Sequence, residues 1–378
     1  MISFWERESF TRYNYAIIGS GIVGLSAAIS VKELSPNSRV VVLERGLFPT
    51  GASTKNAGFA CIGSPTELLA DLKTMPEQEV CSLVALRHQG LLLLRKRLGD
   101  AAIDYQTYGS YEILGPDELY CLNRLPQLNQ LLQHIVQGEA FGLAPNGLAT
   151  SFGFNPDFAK AMVINHFEGQ LDTGKMMQAL LQLAAKMGIT VLNGAHVTAF
   201  SDSGNYVEIA VNHPFMNSTV LFKARKMAVC TNAFARQLLP DMEVQPGRGQ
   251  VLATQPLQNL PFKGIFHFHE GFYYFRNFEN RVIFGGGRNL NFKAETTTNL
   301  TTTSTILDDL LHKLKTCILP HTPFAVDTAW AGIMAFGAQK TPILQLHSSN
   351  VVVGVKLSGM GVAIGSMLGK QVAELLCK

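Results

Sequence analysis

The six cysteines, at 61, 81, 121, 230, 317 and 377, form no C-x-x-C pair and no metal-ligand spacing. The chain therefore reads as neither a zinc module nor a disulfide scaffold, and its thiols are expected reduced, with Cys61 a packed group. No apolar run approaches the ~18 residues needed to span a bilayer. The N-terminus has no basic region followed by an apolar stretch, so the expected location is the cytoplasm, with peripheral membrane contact left open. Charged residues make up only 16%, and the formal net charge is +3. No cluster of lysines and arginines is interleaved with aromatics as a nucleic-acid surface would require; Arg95-Lys96-Arg97 reads as the solvated end of a helix. No repeat at solenoid period is visible. What is left is a globular chain of 378 residues, 47% apolar, long enough for two lobes with substantial cores.

The most informative stretch is YAIIGSGIVGLSAAI. Tyr15 to Ile18 predict a strand, and Gly19, Gly21 and Gly24 then spell G-x-G-x-x-G. Ile22 to Val31 continue at helical spacing. The first glycine permits a tight turn, the second lets backbone N–H groups approach a pyrophosphate, and the third lets helix and strand pack closely. The helix N-terminus turns its partial positive charge toward the phosphates. A second apolar run, Val40 to Leu43, ends in Glu44, where a carboxylate binds the ribose 2′-hydroxyl of an adenosine. Together these features predict a dinucleotide site that includes Ile22, Val23 and Arg45.

Further along, the loop GLFPTGASTKNAGF has the small residues of backbone that passes close to a ligand. Residues 66–98 are helical in pattern, split by Pro76. Residues 105–115 predict paired short strands, and 117–140 a helix broken near Pro126. Asp172 or Thr173 caps a helix running through Met187, closed by Gly188 and followed by the strand ITVL. Strands are expected at 206–211 and 226–230. FKGIFHFHEGFYYF and NRVIFGGG alternate like antiparallel strands with an FEN turn between two of them. A helix over about 306–318, the strand VVVGV and a final helix to Leu376 close the chain. The expected division is a nucleotide-binding half at 1–75, 168–240 and 325–378, and a cap at 76–167 and 241–324. The cofactor then lies between two lobes whose facing surfaces form a pocket.

Four blocks in order resemble the FAD-dependent D-amino acid oxidase superfamily, in its glycine oxidase, sarcosine oxidase and D-amino acid dehydrogenase branch. They are the fingerprint through VVVLERG, the loop GASTKNAGF, the stretch EGQLDTGKMMQALLQLAAKMGITVL and the closing GVKLSGMGVAIGSMLGKQVAELL; WAGIMAFGAQKTPIL is similar to the strand over the flavin ring. The resemblance implies an α/β FAD-binding Rossmann-like domain with an interleaved α+β substrate domain on an antiparallel sheet. It places Ala52, Ser53, Thr54, Lys55, Asn56, Ala57 and Gly58 beside the flavin. Val197, Thr231, Asn232 and Gly332 are further implied contacts. Leu357, Ser358, Gly359, Met360 and Gly361 then open a helix whose N–H groups face the ring where negative charge grows.

Two departures bear on substrate and acceptor. Glycine oxidase-type enzymes carry a carboxylate-binding arginine after W-A-G-x, where this chain has Met334. Sarcosine oxidases carry a lysine in the region of VIFGGGRN, which has none, so oxygen, a quinone or a carrier protein all stay open as electron acceptor. The tethering cysteine of sarcosine oxidases has no counterpart near Ile333, which implies non-covalent FAD. Candidates in the pocket are His267 and His269, placed on one face of a strand by alternation, with Tyr274, Arg276 and Arg288. Arg288 follows three glycines and is the best replacement for the missing clamp. Lys55 either assists the flavin chemistry or is a solvated loop residue. The resemblance implies oxidation of a C–N bond in a small amine or amino acid, by hydride transfer to flavin N5 and hydrolysis of the imine. Oxidation of a 2-hydroxy acid, or flavin binding without turnover, are the alternatives.

Overall fold

The computed structural model describes residues 2–213, 215 and 218–378. Its first sheet grows from the run that opens the fingerprint. Strand Arg12–Ile18 has parallel partners on both sides, Val40–Leu43 and Thr219–Val229. Ala16, Ile17 and Ile18 are buried, as both faces of such a strand are covered and its sequence is continuously apolar. The order across the sheet is Ile343–Ser348, Val351–Val355, Thr219–Val229, Arg12–Ile18, Val40–Leu43 and Thr190–Leu192. Only the first of these runs antiparallel to its neighbour. Strands Val197–Asp202 and Val207–Asn212 extend it as an antiparallel meander on Thr219–Val229.

Helices Ile22–Leu34 and Gly361–Leu376 pack on this sheet and meet each other backbone to backbone. A Cβ on Gly369 would stand 2.6 Å from the Val23 carbonyl oxygen and 2.7 Å from the Ala27 nitrogen. The strand register sets Ile18 level with Leu43 and Val229. The strands therefore end together, and the Gly19 N–H donates to the Leu43 carbonyl at 2.8 Å. Ligands of open α/β sheets bind in the crevice at such carboxyl ends.

The second sheet is ordered Val326–Phe336, Gln245–Thr254, Arg281–Gly286, Tyr273–Phe278, Ile265–Phe268, Ser110–Leu114, Ala161–Asn165 and Phe141–Leu143. All its pairings are antiparallel except that of Ile265–Phe268 with Ser110–Leu114. Its core is aromatic, with Phe266 and Phe275 stacked at 4.7 Å between ring centroids. The expected helix over 172–187 is present as Thr173–Lys186, with Asp172 accepting from the Lys175 N–H at 2.9 Å.

One expectation needs correction. Residues 105–115 do not form paired strands with each other: only Ser110–Leu114 is a strand, and its partners come from 161–165 and 265–268. Strand Val326–Phe336, at the start of the last stretch of the expected nucleotide-binding half, is hydrogen-bonded into the antiparallel sheet. Helix Glu77–Leu98, which opens the stretch expected to form the cap, packs on Gly361–Leu376. Gly90 makes that contact possible, because a Cβ there would collide with the Ala363 carbonyl.

Candidate functional site

The ends of the parallel strands, the loop from Pro49 to Cys61, the start of the final helix and the antiparallel sheet enclose a cavity of about 430 Å³. Gly19, with φ +99°, turns the chain at its edge. Gly24 lies behind this turn and does not line the cavity: a Cβ there would collide with the Gly19 carbonyl oxygen. Gly21, Ile22 and Val23 do line it, and helix Ile22–Leu34 begins there with no side-chain cap. Glu44 is buried at the same edge. Its Oε2 accepts from the Ser20 N–H at 3.0 Å and the Ser20 hydroxyl at 2.8 Å, and its Oε1 from the Gly46 N–H at 2.8 Å. Those donors fix the carboxylate where a ribose would meet it. Arg45 lies over the Phe234 ring at 3.8 Å, beside Val197 in the cavity wall.

Of the residues expected beside the cofactor in the GASTKNAGF loop, all but Thr54 and Gly58 line the cavity. Ser53 Oγ accepts from the Ile22 N–H at 3.0 Å, tying the loop to the helix start, and Ser53 itself lines the cavity with Ala52, Lys55, Asn56 and Ala57. Thr54 lies outside it, donating to the Pro49 carbonyl at 2.7 Å. Asn56 lines the cavity and also braces the loop: Nδ2 donates to the Ser53 carbonyl at 2.9 Å, and Oδ1 accepts from the Gly58 N–H at 2.9 Å. Gly58, with φ +78°, also lies outside the cavity; a Cβ there would collide with the Leu171 carbonyl.

Across the cavity, Lys356, Ser358 and Gly359 have φ of +67°, +47° and +88°. Such backbone is costly for lysine and serine and is characteristic of ligand-binding segments. It leads into helix Gly361–Leu376, which also starts without a side-chain cap, so N–H groups at Gly361, Val362 and Ala363 stay available at the cavity wall. Leu357, Met360, Asn232 and Gly332 line it as well. The Thr231 hydroxyl, also in the wall, is buried without a hydrogen-bond partner among the described residues. An uncapped helix start at Gly361, a second helix start at Ile22 whose first N–H alone is taken by Ser53, a fixed carboxylate and an orphaned hydroxyl fit FAD.

The antiparallel sheet supplies the rest. His267 and Tyr274 are directly paired across strands and both line the cavity, with Phe59 edge-on to each at 5.0 and 5.4 Å. Burial pushes the His267 imidazole down to about 4 and the Tyr274 phenol up to about 12, so both are neutral at pH 7. His269 is not beside His267. The strand ends at Phe268, and His269 sits in a turn at φ +52°, outside the cavity. The alternation that paired the two histidines stops one residue too early.

Arg276 is also displaced from its expected role. Its Nη1 donates to the carbonyls of Leu171 at 2.6 Å and Gly58 at 3.2 Å, and its Nε to that of Asn277 at 3.0 Å. The guanidinium ties the antiparallel sheet to the backbone at Gly58 and Leu171 and does not line the cavity.

Arg288 does line it. Gly286 and Gly287, at φ +138° and +77°, turn the chain so that the guanidinium lies 3.9 Å from the Phe336 ring centroid and 5.0 Å from that of Phe292. It has no hydrogen-bond acceptor among the described residues, and its Nε is buried without a partner. Lys55 lines the same cavity, its carbonyl accepting from the Trp330 indole N–H at 2.9 Å. Glu67, Lys340 and Cys61 line it too, although no sequence signal marked Glu67 or Lys340. Among the described residues no group of His, Cys, Asp and Glu could hold a metal ion, and no helix is long and apolar enough to cross a membrane.

Comparisons with known proteins agree with this geometry. A family model described as FAD dependent oxidoreductase matches residues 14–375. The chain is 20% identical over 381 residues to "Probable oxidoreductase OrdL" of Haemophilus influenzae, covering 95% of this chain and 82% of that protein. It is 25% identical over 262 residues to "Bifunctional protein ThiO/ThiG" of Synechocystis sp., covering 67% of this chain and 36% of that protein. Glycine oxidase from Geobacillus kaustophilus superposes with a TM-score of 0.77 at 19% identity, over 97% of this chain and 95% of that one. L-proline dehydrogenase from P. horikoshii gives 0.77 at 18% identity, over 97% and 93%. These structural likenesses establish the fold. With its fingerprint, its cavity and a family match that runs nearly end to end, the chain belongs to the FAD-dependent oxidoreductases of the D-amino acid oxidase family.

Proposed function

We propose that the protein oxidises the C–N bond of a small α-amino acid, whose carboxylate is held by Arg288. The observation that carries this reading is an arginine in the cavity wall with no acidic partner. Arg288 is half-buried with its Nε sealed, whereas the three fully buried arginines have acceptors of their own: Arg248 is paired with Glu295 at 2.7 Å, Arg87 with Glu67 at 3.1 Å, and Arg276 is held by carbonyls. When a ligand fills the cavity and removes water from this guanidinium, leaving it unpaired against two aromatic rings is costly unless the ligand brings an anion. Planar, bidentate donors match a carboxylate.

The chemistry FAD supplies when bound is hydride acceptance from the carbon bearing the nitrogen, after which water hydrolyses the imine. This chain's part is to position and to exclude water. Arg288 fixes the carboxylate, Met334 and Phe336 wall the site, and the neutral Tyr274 phenol offers a hydrogen-bond donor. Such positioning supplies much of the rate when no strong base is present. FAD is held without a covalent link. Cys61, although in the cavity wall, is a thiol that burial and the nearby Glu168 and Glu67 push well up, which disfavours the thiolate.

The test compares an α-amino acid with the amine left when its carboxylate is removed. Turnover of the acid with little of the amine supports the reading. Equal turnover of both would replace it with oxidation of an amine that lacks a nearby carboxylate.

A further inference from the structure

The segment from Cys61 to Glu67 forms a stretch of cavity wall and is held unusually firmly for a loop entering a helix. Glu168 accepts from the N–H groups of Ile62 at 2.6 Å and Gly63 at 3.0 Å and from the Ser110 hydroxyl. Glu112 accepts from the Ser64 hydroxyl at 2.7 Å, the Thr66 N–H at 3.0 Å and the Thr66 hydroxyl. Arg87, almost wholly buried, donates to the Ile62 carbonyl at 2.8 Å. Groups carried by such a segment are preorganised.

Glu67 is the charged group it carries into the cavity. Both of its cationic partners meet one oxygen: Arg87 Nη2 and Lys340 Nζ each lie 3.1 Å from Oε1. Oε2 has no donor among the described residues, yet it is not among the sealed, unpartnered atoms, so it is open to the cavity. Burial pushes this carboxyl up, but Arg87 and Lys340 outweigh that and hold it at about 2. Lys340 is itself matched, with Asp71 Oδ1 at 2.6 Å besides Glu67. The His267 ring, also in the wall, has an unpartnered Nε2.

Building on the amino-acid reading above, we propose that Glu67 determines specificity by receiving a positively charged side-chain group of the substrate on its open oxygen. The substrates are then amino acids with a second amine or a guanidine. The group Glu67 holds is not the nitrogen that reacts: an ionised carboxylate stabilises a neighbouring ammonium, and loss of hydride needs that nitrogen neutral. Arg288 and Glu67 thus read the two charged ends of one molecule. A site built to hydrogen-bond a substrate group discriminates strongly against analogues that lack it.

The experiment measures flavin reduction in the FAD-loaded protein with lysine, ornithine, arginine, norleucine and glutamate, each as both enantiomers. The expected kcat/KM for the best cationic substrate exceeds that for norleucine by at least about tenfold, and the ratio falls toward one in Glu67→Gln. Glu67→Asp, which keeps the charge beside Arg87, retains a preference and serves if the Gln variant fails to fold. Norleucine matching lysine, glutamate surpassing both, or an undiminished cationic preference in Glu67→Gln would each overturn the role of Glu67. In those cases turnover lost in Arg288→Met still upholds the amino-acid reading. No reduction by any amino acid would overturn both.

Discussion

The Arg288 guanidinium lies 3.9 Å from the centre of the Phe336 ring, and neither Glu295 nor any other carboxylate of the described residues forms an ion pair with it. Gly247 makes this stack possible, because a Cβ there would collide with Phe336 and stand 3.0 Å from Arg288 Nε. Arg288→Met keeps length and removes the charge. It is expected to lower kcat/KM for a carboxylate substrate by about 10²–10³-fold, the effect of leaving a charged group without its partner. Arg288→Lys restores only part, as an ammonium lacks the planar fork. Unchanged flavin reduction kinetics in Arg288→Met, with FAD still bound, would remove Arg288 from the site.

Glu44 is expected to hold the adenosine end of FAD. Its carboxylate is already oriented by Ser20 and Gly46. Glu44→Ala should weaken FAD binding by about 1.5–3 kcal/mol, the range for a hydrogen bond to a charged group. Titrating the apoprotein with FAD and following flavin fluorescence measures this directly. An unchanged dissociation constant would show that the carboxylate serves only its own turn.

Gly24→Ala tests the turn without touching the cavity. The added methyl meets the Gly19 carbonyl oxygen, so strand and helix must separate at the point where they pack most closely. A loss of about 1–3 kcal/mol is expected, the range for overpacking, together with reduced FAD content. Thermal unfolding and the ratio of flavin to protein absorbance report both. A variant with normal stability and full flavin would refute the close-packing role.

The wall segment has a pH dependence of its own. Burial pushes the carboxyls of Glu112 and Glu168 up from their ordinary 4.5 to about 7, against the hydrogen bonds they accept. The folded state therefore binds more protons than the unfolded chain between these values. Their contribution is fully present below about pH 4.5 and is lost as the pH rises through 7. Each group carries on the order of 1–3 kcal/mol across that window. Glu168→Gln and Glu112→Gln imitate the protonated form, so their melting temperatures should fall less than the wild type's between pH 5 and 8. Parallel pH profiles would contradict the assignment.

The parts of this protein legible in its sequence are those fixed by local chemistry. Gly19, Gly21, Gly24 and Glu44 lie within 26 residues, and their roles follow from turn geometry, close packing and one strand spacing. The same holds for the Asp172 cap and the strand VVVGV. Legibility ends where side chains from distant segments settle one another. Arg276 shares its strand parity with Tyr274, but carbonyls of Gly58 and Leu171 capture its guanidinium. His269 misses the cavity because the chain turns at a left-handed residue, which alternation does not reveal. Glu67 and Lys340 are 273 residues apart, and nothing near either announces the contact.

Oxidation of an amino acid by this chain is tested most directly by mixing the FAD-loaded protein anaerobically with a panel of amino acids and amines. The account predicts that α-amino acids bleach the yellow flavin, and that each equivalent of flavin reduced yields one of ammonia and one of the corresponding oxo acid. Flavin that stays oxidised with every amino acid and amine, while a 2-hydroxy acid bleaches it or nothing does, would contradict the account.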